Sequence, residues 1–244
     1  MESVFFNADN WYWKTLEDFI AYQDMHDFVS NKIAMDAYNS SMRFSSIGQE
    51  AHDSNTSKKI INSIEGSLKG SLDHFAGLTI VAMCTTFEVA AKDFFRNLFI
   101  INPKYMYEYI GSENKKGLIS LHEIINSGDF EKLICNLSEK ASSAVSKGKY
   151  GEIISRAFKL CGIEKDDTLE KNINLVQAGR NKIVHEKEVV SREVKDVSDA
   201  QGIIAEALEA LVKCAQHKKI PGRYTCVTPE KVLFANSITV VDTD

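Results

Sequence analysis

A chain of 244 residues with 44% apolar side chains holds enough hydrophobic material for one sizeable core and an appendage. Its formal charge of −5 and pI near 5.7 exclude a protein that coats nucleic acid through bulk positive charge, so any phosphate site must be local. The cysteines Cys84, Cys135, Cys161, Cys214 and Cys226 are dispersed, without a C-x-x-C pair or cysteine–histidine metal spacing. They read as reduced, mostly buried thiols of a cytoplasmic protein, with neither metal nor cofactor expected.

The opening residues, Met1 to Phe6, lack the basic start and continuous apolar run of a signal peptide. The longest uncharged apolar run, Phe75 to Phe87, falls short of the ~18 residues a bilayer span requires, and no membrane partner is expected. Prolines occur only at 103, 221 and 229, which favours long helices before them. Leu16, Phe19, Ile20, Met25, Phe28, Val29 and Ile33 recur at helical spacing and predict an amphipathic helix from Trp11 to about Tyr38, with room for an interruption. The serine-rich stretch Asn39 to Ser57 reads as a linker. A short helix at Lys58 to Lys69 follows, its end weakened by Gly66 and Gly70.

Ser71 to Ile101 carries the strongest helical pattern, about 45 Å long at ~1.5 Å per residue. Leu72, Phe75, Thr79, Met83, Phe87, Ala90, Phe94, Leu98 and Ile101 form its stripe, with Val81, Val89, Phe95 and Phe99 on other faces, as expected of a central helix. Asn102-Pro103 ends it. Further helices are predicted at Lys115 to Asn126, Asp129 to Ala144, Lys149 to Leu160, Thr168 to Glu188 and Val194 to His217, with Asp129, Thr168 and Ser191 as capping residues. Tyr224 to Val227 and Ser237 to Val241 are β-prone around a turn at Thr228-Pro229, which predicts a two-stranded ribbon in the tail. The expected fold class is all-α. An N-terminal helical extension occupies residues 1–70, an antiparallel helical bundle 71–220 and a short tail 221–244.

Leu169, Ile173, Val176, Ile183 and Val184 share one helical face at roughly 100° per residue, and Arg180 points into its centre. Arginine is seldom buried alone, so the position implies a carboxylate, a backbone carbonyl, a partner subunit or an anionic ligand. Asn181 and His185, spaced i to i+4, lie together on the flank.

The run Arg180-Asn181-Lys182-Ile183-Val184-His185 resembles the R-x4-6-H signature of HEPN domains, in the form R-N-x-x-x-H. The upstream apolar helix and the helix after the motif fit that resemblance, which covers approximately Ser71 to His217. It implies a compact helical bundle that dimerises through the motif helix, and a metal-independent endoribonuclease of the prokaryotic toxin or antiphage kind, with RNA and a cognate antitoxin protein as partners. Glu88-Val89-Ala90-Ala91-Lys92-Asp93 is similar to the E-x3-K-R element of some members, with Asp93 in place of the arginine. Glu88 and Lys92 are therefore supporting site residues, and Glu88 is a candidate ion-pair partner for Arg180. The R-x4-H-x-Y spacing of HEPN proteins modified by a nucleotidyltransferase is absent, since Lys187 stands at the tyrosine position.

The chemistry follows from the residue types. RNA contains its own nucleophile, the 2′-hydroxyl, which a histidine can deprotonate or whose leaving 5′-oxygen it can protonate. An arginine can hold the phosphate bidentately and stabilise its developing charge. Products would be a 2′,3′-cyclic phosphate and a 5′-hydroxyl, with Asn181 orienting His185 or touching phosphate. The alternative is a non-catalytic HEPN-like dimer that binds a protein or nucleic acid, in which Arg180 and His185 are a structural pair. Likewise, Glu88 and Lys92 suit a surface ion pair. His217-Lys218-Lys219 with Arg223, and Lys147 with Lys149, are candidate RNA-path cations. Phe5, Phe6, Trp11, Tyr12 and Trp13 suit either base stacking or a hydrophobic anchor.

Overall fold

The computed structural model describes residues 4–41, 54–111, 117–186 and 193–225, with side chains from residue 58 in the second span and to residue 185 in the third. The fold is all-α: α1 (Ala8–Ser30), α2 (Lys32–Ser41), α3 (Ser54–Ile101), α4 (Leu121–Ser127), α5 (Phe130–Val145), α6 (Tyr150–Cys161), α7 (Asp167–Asn181) and α8 (Val194–His217). A 3-10 turn, Pro103–Tyr109, follows α3, and a wider π-helical turn, Lys182–Glu186, extends α7.

The helix predicted to end near Lys69 and the one predicted to start at Ser71 are a single helix of 48 residues. Gly66 and Gly70 do not break it. Each sits where an added Cβ would meet nothing within 4 Å, so each costs only the ~1 kcal/mol of glycine's poor helix propensity. The expected linker shortens accordingly, because residues 39–41 and 54–57 are helical. Residues 42–53 lie outside the described residues.

α3 is the spine of the core. Ala76, Met83, Cys84, Phe87, Ala90, Ala91, Phe94, Phe95, Leu98 and Phe99 are buried, against α1, α5 and α8. The buried arc is centred one position after Phe75, which leaves that ring 38% exposed at its edge, and Ile101 is likewise open at the helix end. The segment Lys58–Ile101 is long and apolar enough to cross a membrane by length and composition, and half of its apolar window is buried inside the fold.

α1 packs through a narrower surface than its sequence suggests. Ala8, Thr15, Tyr22 and Val29 are buried at a strict seven-residue repeat, the seam of coiled-coil-like packing. Of the expected stripe, Val29 is buried and Phe19 packs against the core, while Ile20, Met25 and Phe28 stay exposed, as does Ile33 on α2. Asn31 separates α1 from α2 with an extended ψ of 108°, and its side chain accepts the Ala34 N–H.

Two short strands far apart in the sequence meet. Phe6–Asn7 (β1) and Gly222–Arg223 (β2) pair as parallel strands, Phe6 opposite Gly222. A Cβ at Gly222 would collide with the Phe6 carbonyl oxygen, so glycine permits the close approach. Phe6 is fully buried edge-on against Phe94, with ring centroids 5.8 Å apart. Buried Asn97 of α3 accepts the Phe5 N–H at 2.9 Å and donates to the Asp93 carbonyl at 2.9 Å. Trp11 donates its indole N–H to Asp93. Phe6 and Trp11 are thus anchors, while Phe5 and Trp13 remain exposed. The ribbon expected within the tail lies outside the described residues, because description ends at Thr225.

Caps explain most helix starts. Asp129 caps α5 as expected, accepting the Lys132 N–H at 2.8 Å. α7 is capped by Asp166 rather than Thr168, through the Leu169 N–H. Ser120 and Glu123 form a capping box that starts α4 at Leu121, later than predicted. Glu193 caps α8, and Ser191 lies outside the described residues.

Candidate functional site

The site is built where α6 begins beside the last turns of α7. Lys149, at the α6 cap position, makes no side-chain capping bond. Side chains of α7 supply the caps instead: Gln177 accepts the Tyr150 N–H at 2.9 Å and Asn174 accepts the Gly151 N–H at 2.8 Å. Gln177 also donates to the Gly148 carbonyl at 3.1 Å. A Cβ at Gly151 would lie 2.6 Å from Asn174 Nδ2 and 2.7 Å from the Glu170 carbonyl oxygen, so this close contact requires glycine. The register between α6 and α7 is thereby set one turn before Arg180.

Tyr150 joins that register to α3. Its ring is 1% exposed and packs on Phe87 at 5.0 Å, and its hydroxyl donates to Glu88 Oε1 at 2.6 Å. Cys84, one helical turn before Glu88, is fully buried. Burial pushes the Cys84 thiol up to about 12, and the Tyr150 hydroxyl is raised by burial first and then by Cys84 and Glu88. The charge of Arg180 acts in the opposite sense on both groups, so Cys84, Glu88, Tyr150 and Arg180 share one electrostatic neighbourhood.

Arg180 is half-buried. Its Nη1 donates to Asn181 Oδ1 at 3.1 Å, while its buried Nε has no hydrogen-bond partner. The expected Glu88–Arg180 ion pair is absent among the described residues, and Glu88 Oε1 instead accepts the Tyr150 hydroxyl. Leu169, Ile173 and Val176 are buried as the sequence predicted, and Ile183 is half-buried. Val184 departs from that face at 42% exposure, because the chain enters the wider turn at Lys182 and the angular step between residues changes. Asn181 and His185 are exposed, and the turn carrying His185 packs against α3.

The other expected residues divide. Lys92 turns to Glu139 of α5 at 3.3 Å, a carboxylate that Arg96 also contacts, so Glu88 and Lys92 do not pair with each other. Asp93, at the position of the missing arginine, is half-buried beneath Trp11 and holds α1 to α3; burial raises its carboxyl above the usual range. Lys147 and Lys149 are exposed on the loop that Gln177 grips, beside the motif. Lys218 and Lys219 belong to the opposite end of α6, about 16 Å away along the helix rise, and Lys218 is bonded to the Tyr105 hydroxyl. Among the described residues, no group of three His, Cys, Asp or Glu side chains stands together to hold a metal ion.

Sequence reading missed Tyr150, Asn174 and Gln177. The last two sit on the motif's own helix, where their polar character was a visible signal. Tyr150 had none, because only packing brings α6 to α3. The class this architecture defines is an all-α helical protein with a polar cluster at one end of its bundle. No family model, curated protein or solved structure matches the chain.

Proposed function

We propose that this protein is a metal-independent endoribonuclease of HEPN type, acting as a homodimer in a prokaryotic toxin–antitoxin or antiphage role. The observation that carries the reading is the state of Arg180. Its guanidinium has no ion pair among the described residues, has an unbonded Nε and is bonded to the exposed Asn181, four residues before the exposed His185. A structural arginine would be expected to end on a carboxylate; one that is held at its edge by an amide and left open fits a phosphate anchor.

In this reading Arg180 binds the scissile phosphate and Asn181 orients the guanidinium. His185 takes the 2′-hydroxyl proton or gives one to the leaving 5′-oxygen. Glu88, held by Tyr150, lowers the cost of keeping Arg180 half-buried without occupying it. Exposed Lys147 and Lys149 extend the anion path. A second reading, the non-catalytic dimeric module, is favoured by one observation: the His185 ring has no orienting hydrogen bond among the described residues. In the ribonuclease reading the second subunit completes that part of the cleft.

The test is RNA cleavage in EDTA by wild type, Arg180→Ala and His185→Ala. Wild type should yield 2′,3′-cyclic phosphate ends, and each variant should lose about 100-fold or more of the rate. Equal cleavage by all three, or none by wild type, would overturn the ribonuclease reading.

A further inference from the structure

The outward face of α1 is patterned as regularly as its buried seam. At roughly 100° per residue, the line opposite Ala8, Thr15, Tyr22 and Val29 holds Trp13, Glu17, Ile20, Asp24 and Asp27, spaced three or four residues apart. Trp13 and Ile20 are exposed, and exposed Phe28 continues the apolar part beside the line. Phe28 meets the Tyr38 ring of α2 edge-on at 6.2 Å, and Tyr38 and Ile33 are themselves exposed, so the apolar surface passes from α1 onto α2. A run of large apolar side chains left in water marks a contact surface.

The charge on this face has one sign. Six carboxylates on α1 and α2 (Asp9, Glu17, Asp18, Asp24, Asp27 and Asp36) against Lys14 and Lys32 leave a net charge of −4, most of the −5 of the whole chain. Lys14 is turned to the Trp11 ring, 4.7 Å from its centre. Among the described residues no lysine or arginine pairs with Glu17, Asp24, Asp27 or Asp36. Asp27 also stands in the last turn of α1, which has no base, although the helix dipole favours cations there. Burial first, and then Glu17, raise the Asp18 carboxyl above its usual range.

We propose that the outward face of α1, continued on α2, docks a cationic amphipathic helix of a partner protein. Apolar side chains of that helix seat on Trp13, Ile20 and Phe28, and lysines or arginines between them reach Glu17, Asp24 and Asp27. Charge selects this occupant. RNA or an anionic lipid surface would meet like charge, and a second copy of the same face would set acids against acids. The alternation of apolar group and acid at each turn, about 5.4 Å apart, matches a helix lying along α1. The face is separate from the Arg180 cluster, since α1 packs mainly on α3 and α8 while Arg180 belongs to α7.

The probe is a fluorescein-labelled amphipathic helical peptide of leucine and lysine, titrated with the full chain and followed by fluorescence anisotropy. A peptide with glutamate in place of lysine serves as its control. Wild type should bind the lysine peptide and not the glutamate peptide. Glu17→Lys combined with Asp24→Lys should weaken binding by about tenfold or more, as should Trp13→Ala combined with Ile20→Ser. Glu131→Lys, an exposed acid on α5, should leave it unchanged. Carbodiimide cross-linking of the wild-type complex should couple peptide lysines to Glu17, Asp24 or Asp27, a readout that does not depend on a variant's folding. Equal affinity of wild type and the Glu17/Asp24 variant overturns the proposal, as do equal binding of the two peptides and cross-links confined to other acids. Binding of a labelled RNA or of phosphatidylserine vesicles that is lost in the Trp13/Ile20 variant overturns it too, because the face would then serve an anion.

Discussion

Buried Tyr150 ties α6 to α3 through a single hydroxyl, which donates to Glu88 Oε1, while Arg180 turns to Asn181 and keeps an unbonded Nε. The same burial has a pH consequence. Cys84 and Tyr224 are neutral when protonated, and burial raises each to about 12 from 9.0 and 10.0, with Tyr150 raised as well. The unfolded chain therefore ionises first. Their contribution to stability is complete below about pH 9 and is lost as pH rises toward about pH 12. Urea unfolding midpoints measured from about pH 8 to about pH 11 should fall progressively above pH 9. A flat profile would contradict the burial of these groups.

Among the elements, α3 dictates where its neighbours attach. Asn97 sits two residues beyond Phe95, buried among the aromatic side chains of α3, and spends its amide on the Phe5 N–H and the Asp93 carbonyl, so the N-terminal strand is tied to the spine. Asn97→Ala leaves the Phe5 N–H without that acceptor, and we expect a loss of about 1–3 kcal/mol in chemical denaturation. Amide exchange should quicken selectively at residues 5–7. α6 illustrates a different dependence, because its first amides are capped by α7 and not by its own sequence. Lys149 at that cap position gave no hint of the arrangement, whereas Asp129 announced the start of α5 by itself.

Across the whole molecule, the outward side of α7 is unfilled. Leu175 is 62% exposed and Val184 42%, on the same segment as Asn181 and His185. If this surface joins two copies, as the proposed function requires, Leu175→Glu should shift the protein toward monomer in size-exclusion chromatography with light scattering. Its melting temperature should stay nearly unchanged, because the side chain contributes little to the core. A wild-type monomer at micromolar concentration would remove the dimeric cleft from the reading.

Local rules made much of the fold legible. The bounds of α8, the cap of α5 and the buried positions Leu169, Ile173 and Val176 follow from periodicity and capping, which act over one or two turns. The same scale of reasoning marked Arg180 as misplaced and grouped it with Asn181 and His185. It failed where energy is decided at long range. Glycine at 66 and 70 costs too little to stop a helix that α1 and α8 help to hold. The seven-residue seam of α1 depends on which neighbour it meets, not on how many apolar residues it owns. The allocation of Glu88 to Tyr150 and Lys92 to Glu139 is a competition between hydrogen-bond partners brought together from separate helices. Sequence alone marked most of the helices and the grouping of Arg180, Asn181 and His185 along one segment, because those depend on neighbours three and four residues away. Only tertiary packing decided that Tyr150 meets Glu88 and that Arg180 carries no ion pair among the described residues, because the groups concerned come from separate helices.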